Sequence, residues 1–430
     1  MYSLAKVIEA QVSRGYVEIV DKRLSPDLEA TKYLVRADET GSTVLFRVSN
    51  SDLDCVSGVI NTRKKLYEVL GVSSDEEAYA KLSKALNKET PSSFKTVEFG
   101  EQYKPFDGSL SSIPAVKFYK VDGGRYITSS IVIARTPDLD SYNASIHRLM
   151  FIDEHSVAIR IVPRHLYRIY ELNKKMGKDT EVAVVIGAHP LVELASSISP
   201  PYGVFELELV EQLGDHSLEV AYTPRYGLPV PAYASVVIEG RITENLVREG
   251  PFVDILRLPD RVRDQPVLVI DQIYVSRDRE FFHVVLPGGG DHVMLMGFPR
   301  EAAIWEAVRR ALPGVRKVRL TRGGGMWLHA IISISKEAEG DGKTAIMAAF
   351  AAHPSLKHVV VVDEDIDPDN PQEVEWAIAT RLQASRGLVL IRDARGSTLD
   401  PSSDDGVTDK VGVDATAPVR RRELFRRPED

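Results

Sequence analysis

The sequence predicts a mixed α+β protein in three parts, and three observations carry that prediction. Short β-rich runs separated by turns crowd the middle of the chain, from about residue 112 to 318. Strand and helix patterns alternate after about residue 319, which is an α/β signature. At 430 residues the chain exceeds what one ordinary core fills, so several domains are expected. The expected boundaries are 1–111 for an N-terminal α/β scaffold, 112–318 for the central β-rich domain and 319–430 for a C-terminal α/β domain.

In the first part, MYSLAKVIEAQVSRG reads as an amphipathic helix and carries neither the apolar core nor the cleavage site of a signal peptide. Lys32 to Val48 contains β-branched runs that predict strand, while Glu76 to Leu86 has helical periodicity. Lys88 to Ser93, with Pro91, predicts a loop. Nothing here carries obvious chemistry.

The central part holds strand-like runs at Arg125–Ala134, Ser156–Val162, Glu181–Ile186 and Ala234–Glu239, a spacing that fits a barrel or a sandwich. Helices are expected at His165–Lys175 and Gly203–Gln212. The triple glycines at 288–290 and 323–325 mark tight loops; either can approach a phosphate, but plain turns are the commoner use. The stretch Arg248-Glu-Gly-Pro-Phe-Val-Asp254 sets two carboxylates five residues apart across a Gly-Pro turn. That spacing does not match one helix face, and Pro251 has no N–H for a continuous helix. Taken alone it is a surface turn; aimed into one pocket around a cation, the pair suits proton transfer to carbon.

In the C-terminal part, a strand (Leu328–Ser335), a helix (Gly342–Ala352), a strand (His358–Val362) and a helix (Pro371–Arg381) alternate. Gly340-Asp-Gly-Lys-Thr344 looks like the end of a phosphate-binding loop but has Glu337 where the cradle requires glycine. The acids Asp363 to Asp369 lack the central glycine and terminal bidentate acid of a calcium loop, and capping of the following helix accounts for them better.

Composition narrows the function class. Hydrophobic residues make up 43% and charged residues 27%, the balance of a soluble globular protein. A net charge of −8 argues against a general nucleic-acid binder. Arg420, Arg421, Arg422, Arg426 and Arg427 form the only concentrated basic run, read as a solvated, flexible tail. No apolar run approaches the roughly 20 residues of a membrane span. Cys55 is the lone cysteine, so a disulfide framework, a Cys-ligated iron–sulfur cluster and a Cys-based zinc site are excluded within one chain. A cytoplasmic protein is expected.

An ordered set of short motifs resembles the UbiD-like (de)carboxylases, enzymes that use prenylated FMN. It comprises Asn143-Ala-Ser-Ile-His-Arg148, Val162-Pro-Arg-His165, Ile186-Gly-Ala-His-Pro190, Glu206 after a Pro-Pro-Tyr-Gly turn, Pro229-Val-Pro-Ala232, Ile238-Glu-Gly240 and Glu249-Gly-Pro-Phe252. It resumes in Val362-Asp-Glu-Asp-Ile-Asp367, Trp376-Ala-Ile-Ala-Thr-Arg381 and Asp414-Ala-Thr416. The resemblance implies a central split β-barrel holding the flavin. It implies that Arg148 holds the substrate carboxylate, that Glu249 pairs with it, and that Asp254 reprotonates the product carbon. Asn143, His165 and Glu206 would bind Mn²⁺ or Mg²⁺ beside the flavin phosphate, a donor set of suitable hardness. Ser145, Ile146, His147, Arg148, Arg164 and His165 would line the cofactor. Ala195 and Ser196 fall at a K⁺ and flavin position, and Lys336 where a lysine reaches the phosphate. Ser235, Val253 and His189 depart from the family pattern without removing a proposed catalytic group.

The activity this implies is non-oxidative decarboxylation of an α,β-unsaturated acid, with trans-anhydromevalonate 5-phosphate as the chosen substrate. An aromatic acid of the 4-hydroxybenzoate type is the alternative, and a flavin-binding module without turnover is the alternative of another class. A flavin prenyltransferase would supply the cofactor. The resemblance further implies a homo-oligomer, dimer or hexamer, to which the C-terminal domain contributes. For Asp254 to give a proton near neutral pH, it must be the drier or the less paired of the two acids.

Overall fold

A computed structural model describes residues 1–87 and 93–427. All but Ser93 of the expected Lys88–Ser93 loop lies outside the described residues. The fold is mixed α+β, in two compact units: Met1–Val72 with Lys84–Leu295, and Ser73–Ser83 with Met296–Asp430.

The first unit opens with the expected helix, Leu4–Ser13, capped by the Ser3 hydroxyl accepting from Lys6 N–H. The strand expected over Lys32–Val48 is half wrong. Glu29–Thr40 is a helix that buries Ala30, Thr31, Leu34 and Ala37 on one face and stops at Gly41, whose φ of 73° is left-handed. Only Thr43–Val48 is strand. The helical spacing of the buried residues outweighs the β-branched content that suggested strand. Val17–Leu24, Thr43–Val48, Cys55–Ser57 and Phe282–His283 form a four-stranded sheet in that order.

The central sheet positions the site. Its principal strands are β1 (Tyr126–Arg135), β2 (Tyr142–Phe151), β3 (Ser156–Ile159), β4 (Thr180–Ile186), β5 (Val236–Glu249) and β6 (Arg263–Ser276). The order is β5-β4-β1-β2-β3-β6, followed by the short strand Tyr103–Pro105. β5 also pairs with β6, from Val236↔Val275 to Glu249↔Arg263. Of these, β2 and β6 carried no strand signal in the sequence reading. Leu149, Val157, Ile238 and Leu268 join one buried core. After β4 the chain turns at Gly187, where φ is 72° and a Cβ would stand 2.1 Å from the Phe281 carbonyl oxygen, so only glycine fits. The helix His165–Lys175 forms where expected, whereas the Gly203–Gln212 helix shrinks to a 3₁₀ turn, Glu206–Leu209, and one α turn, Val210–Leu213. The Gly288–Gly290 loop leads straight into a 22-residue helix, Gly290–Ala311.

The second unit is a five-stranded sheet in the order Val315–Leu320, His329–Ile334, His358–Asp363, Val407–Asp414, Leu388–Arg395. The expected strand–helix–strand–helix run is present, with helices Asp341–Ala352 and Pro371–Arg381. The acid run does not cap the second helix; Asn370 does, accepting from Gln372 N–H. Asp363 and Asp365 instead pair with Arg381, while Asp367 and Asp369 pair with Lys317, and Asp369 also with Arg319. Of the arginine run at the end, Arg420, Arg421, Arg426 and Arg427 are exposed, but Arg422 is half-buried and donates to the Lys336 carbonyl.

Candidate active site

The organising side chain is Arg148, near the end of β2. Its Nε donates to Glu249 Oε1 and its NH2 to Glu249 Oε2, both at 2.9 Å, a bidentate fork. NH1 donates to Asp254 Oδ2 at 2.5 Å, and NH2 also reaches Asp260 Oδ2 at 3.1 Å. The guanidinium lies over the Phe252 ring, 4.6 Å from its centroid. Burial works against the charge, but the three carboxylates outweigh it and hold Arg148 above its ordinary value.

Local structure explains how two acids five residues apart reach one guanidinium. Glu249 ends β5, opposite Arg263 of β6. The chain then passes Gly250 and Pro251, joined by a cis peptide, into a narrow hairpin in which Phe252–Val253 pairs with Pro259–Asp260. Asp254 stands at the hairpin tip, where its N–H donates to Leu258 O and its C=O accepts from Arg257 N–H. The return strand delivers Asp260, which the sequence reading missed. Burial pushes the Asp260 carboxyl up, but Arg263, at 2.6 Å, and Arg148 outweigh it and hold it low. Nothing in the sequence distinguishes Asp260 from a surface acid; only the hairpin brings it to Arg148.

The expectation for Asp254 needs one correction. It is not the drier acid: its side chain is 16% exposed against 0% for Glu249. Toward Arg148 it makes one bond where Glu249 makes two, and its Oδ1 also accepts from Ile255 N–H at 2.7 Å.

Asn143, His165 and Glu206, scattered over more than 60 residues, converge. His165 Nδ1 lies 3.7 Å from Glu206 Oε1, and Glu206 Oε2 accepts from Ala144 N–H at 2.7 Å. The Asn143 amide oxygen faces Glu206 Oε1, a 3.3 Å approach that becomes a hydrogen bond only if the amide is turned over. A cation between the two oxygens would satisfy both as they stand. Burial pushes the Glu206 carboxyl up, while its contacts with His165 and Ala144 N–H draw it back. The donor set therefore fits a divalent cation. Among the described residues no three His, Cys, Asp or Glu side chains form a metal cluster, and this set reaches three only by counting an amide.

The remaining expected cofactor residues divide. Strand alternation puts Ser145 and His147 on the Asn143 face of β2, and Ile146 and Arg148 on the other. Ser145 Oγ contacts both Asn143 Nδ2, at 3.0 Å, and His147 Nε2, at 2.8 Å. The His147 ring is buried and its Nδ1 bonds the Arg160 carbonyl, so burial holds it neutral, at about 4. Arg164 precedes the His165–Lys175 helix and donates to Ser199 Oγ at 3.2 Å. Ala195 and Ser196 are buried in the helix Pro190–Ser197, where the Ser196 hydroxyl donates to Val192 O. Lys336 belongs to the second unit, where its ammonium donates to Glu339 and to Ala417 O. The Gly288–Gly290 N–H groups are all used internally, on His292, Leu286 and Asp38, so that loop is a turn rather than a phosphate cradle.

Models of three 3-octaprenyl-4-hydroxybenzoate carboxy-lyase (UbiD) domains match nearly the whole chain: the N-terminal domain over residues 8–86, the Rift-related domain over 90–290 and the C-terminal domain over 293–415. The chain belongs to the UbiD family. It is 49% identical over 408 residues to the anhydromevalonate phosphate decarboxylase of Aeropyrum pernix, covering 94% of this chain and 91% of that one. It is 42% identical to the enzyme of the same name from Methanothermobacter thermautotrophicus, covering 95% and 96%. Among solved structures, the UbiD-class enzyme HmfF from Pelotomaculum thermopropionicum, in complex with FMN, superposes with a TM-score of 0.95 at 36% identity, over 100% of this chain and 97% of that one.

Proposed function

We propose that this UbiD-family protein is a prenylated-FMN-dependent decarboxylase that converts trans-anhydromevalonate 5-phosphate to isopentenyl phosphate and carbon dioxide. The observation that carries the reading is Arg148 held by Glu249, Asp254 and Asp260, in a chain 49% identical to a decarboxylase of that substrate class. In this reading β1 to β6, with β5 paired to β6, form the split barrel on which the flavin sits.

The donors fit the cofactor. Asn143, His165 and Glu206 would hold Mn²⁺ or Mg²⁺ against the flavin phosphate, with Arg164 at the start of the following helix, a position suited to an anion. Ser145, Ile146 and His147 would line the flavin, and Ala195 and Ser196 would offer oxygens to K⁺. When bound, prenylated FMN supplies the electron sink through which carbon dioxide leaves.

The chain's own residues do the rest. Arg148, fixed by Glu249 and Asp260, presents NH1 to the substrate carboxylate, a planar donor matched to it. Asp254 gives a proton to the carbon that loses carbon dioxide, because it is the acid that can leave Arg148 without stranding a fully buried charge. We extend the proposal to a homo-oligomeric enzyme supplied by a flavin prenyltransferase.

The test is carbon dioxide release from trans-anhydromevalonate 5-phosphate by protein reconstituted with prenylated FMN, Mn²⁺ and K⁺, beside an Arg148→Ala control. Release that vanishes in the control supports the reading. Turnover of 4-hydroxybenzoate-type acids alone would overturn the substrate, and bound flavin without turnover of any acid would favour a binding module.

A further inference from the structure

His292 was not singled out by the sequence, and the mechanism above leaves it unused. It is the second residue of Asp291–Val293, in the first turn of the Gly290–Ala311 helix. Its Nε2 lies 4.0 Å from Asp254 Oδ1, which accepts from Ile255 N–H at 2.7 Å and keeps a second lone pair for another donor, while Arg148 holds Oδ2.

Three features fix the ring. Gly288 N–H donates to His292 Nδ1 at 3.0 Å, so the neutral ring carries its hydrogen on Nε2, facing Asp254. Burial, with Arg148 nearby, outweighs the attraction of Asp254 and holds the ring below its ordinary value, hence neutral near pH 7. The preceding residue, Asp291, is buried and accepts from the N–H groups of Gly58, Val59 and Ile60 and from His283, which pins the first helical turn.

The hairpin tip is tied to the same loop. Arg257 N–H donates to Asp254 O at 2.8 Å, and Arg257 Nε donates to Gly288 O at 3.1 Å. Asp254, Arg257, Gly288 and His292 thus form a closed circuit that sets the gap between the acid and the imidazole. At 4.0 Å the gap is too long for a hydrogen bond, and a small swing of the carboxylate closes it.

Arg148 shows which carboxylate can swing. Glu249 and Asp260 are buried and hold Nε and NH2, so an anion arriving at Arg148 competes with Asp254 for NH1. We infer that His292 is a positioning residue for Asp254, its Nε2–H receiving the carboxylate that the substrate displaces from Arg148. The inference rests on the decarboxylase reading above. The proton balance is simple. The displaced Asp254 carboxylate first takes a proton from solvent at its exposed side; protonated Asp254 then transfers that O–H hydrogen to the substrate carbon and becomes a carboxylate again. His292 donates a hydrogen bond to that anion without giving up its proton, and solvent reprotonates Asp254 from its exposed side.

Two measurements test this. In the full chain without cofactor, ¹⁵N-histidine NMR should show His292 as the Nε2–H tautomer, and Asp254→Asn should lower its protonation midpoint by about 0.5–1 unit, the effect of removing one nearby negative charge. An Nδ1–H tautomer, or an unmoved midpoint, would overturn the inference whatever the substrate proves to be. In the reconstituted enzyme, His292→Phe should lower kcat about 10- to 100-fold, the loss of one hydrogen bond to a charged group, with KM within about twofold. His292→Gln, which keeps an N–H donor, should recover part of it. A raised KM with unchanged kcat would instead place His292 on the substrate and overturn the positioning role. Wild-type enzyme inactive on the phosphorylated acid would sink the functional reading but not the NMR coupling, so the two failures are distinguishable.

Discussion

Arg148 and Glu249 meet edge to edge: Nε and NH2 of the one donate to Oε1 and Oε2 of the other, each at 2.9 Å, with the Glu249 side chain fully buried. A lysine offers a point charge and cannot reproduce that fork. The pair holds the guanidinium on a rigid base and leaves NH1 to Asp254, which is what the proposed substrate-clamp role of Arg148 requires.

Arg148→Ala should therefore do two things at once. It leaves Glu249 fully buried without its cation, while Asp260 keeps Arg263, a loss of about 3–5 kcal/mol for breaking a buried pair. It also removes the carboxylate clamp. Thermal melting should show a clear fall in Tm, and carbon dioxide release should vanish. Arg148→Lys should recover stability better than activity, because charge returns but the bidentate geometry does not.

Asp254→Asn should separate chemistry from folding. The side chain is partly exposed, and an asparagine oxygen can still accept from Ile255 N–H, so the melting temperature should change little. Turnover should fall about 10²- to 10⁴-fold, the usual scale for losing a general acid, with flavin still bound. Stopped-flow spectra of the loaded protein with substrate would check both halves. Wild-type turnover in the variant would remove Asp254 from the proton-transfer role.

The sequence made parts of this legible and hid others for physical reasons. The alternation of strands and helices in the C-terminal part and the helix His165–Lys175 followed from local periodicity, and both are present. The helix Glu29–Thr40 was misread because the β-branched run that follows it at Thr43–Val44 was extended back across its stop, Gly41, a single residue. Glu249 and Asp254 stood out as an acid pair across a Gly-Pro turn, but Arg148 was tied to them only through an ordered set of motifs, since its strand meets their hairpin only in the fold. Asp260 and His292 gave no signal, because their relation to Arg148 and Asp254 exists only once the hairpin tip and the Gly290–Ala311 helix are in place. The proposed metal set was equally invisible to spacing, being three single residues, one of them an amide.

Glu206→Gln and Asn143→Ala should both weaken cofactor retention before they weaken the fold. Changes around metal ligands commonly cost about 10- to 100-fold in affinity, and loss of a ligand should cost at least that. Reconstituted variants passed through a desalting column should lose flavin absorbance and bound Mn²⁺ together, and chelation should do the same to the wild type. Full retention of both in Glu206→Gln would move the metal elsewhere.

A last prediction concerns stability against pH and comes from the buried trio Glu193, His283 and Asp291. His283 Nδ1 lies 2.8 Å from Glu193 Oε1 and its Nε2 lies 3.1 Å from Asp291 Oδ2. Burial opposes the charged ring, but the carboxylates on both sides outweigh it and push His283 up from 6.5 to about 10. A group raised on folding stabilises fully below its unfolded value and loses that contribution as pH rises through its folded value. The advantage of wild type over His283→Gln in melting temperature should thus be largest at or below about pH 6.5 and shrink steadily toward pH 10. The comparison must be a difference, because nearby Lys65, held down by burial to about 8, pulls the opposite way at higher pH. Burial, with the Asp291 charge, pushes the Glu193 carboxyl up, and the charged His283 ring draws it back down. A wild-type advantage that stays flat from pH 6 to 10 would mean that His283 is neutral in the folded protein.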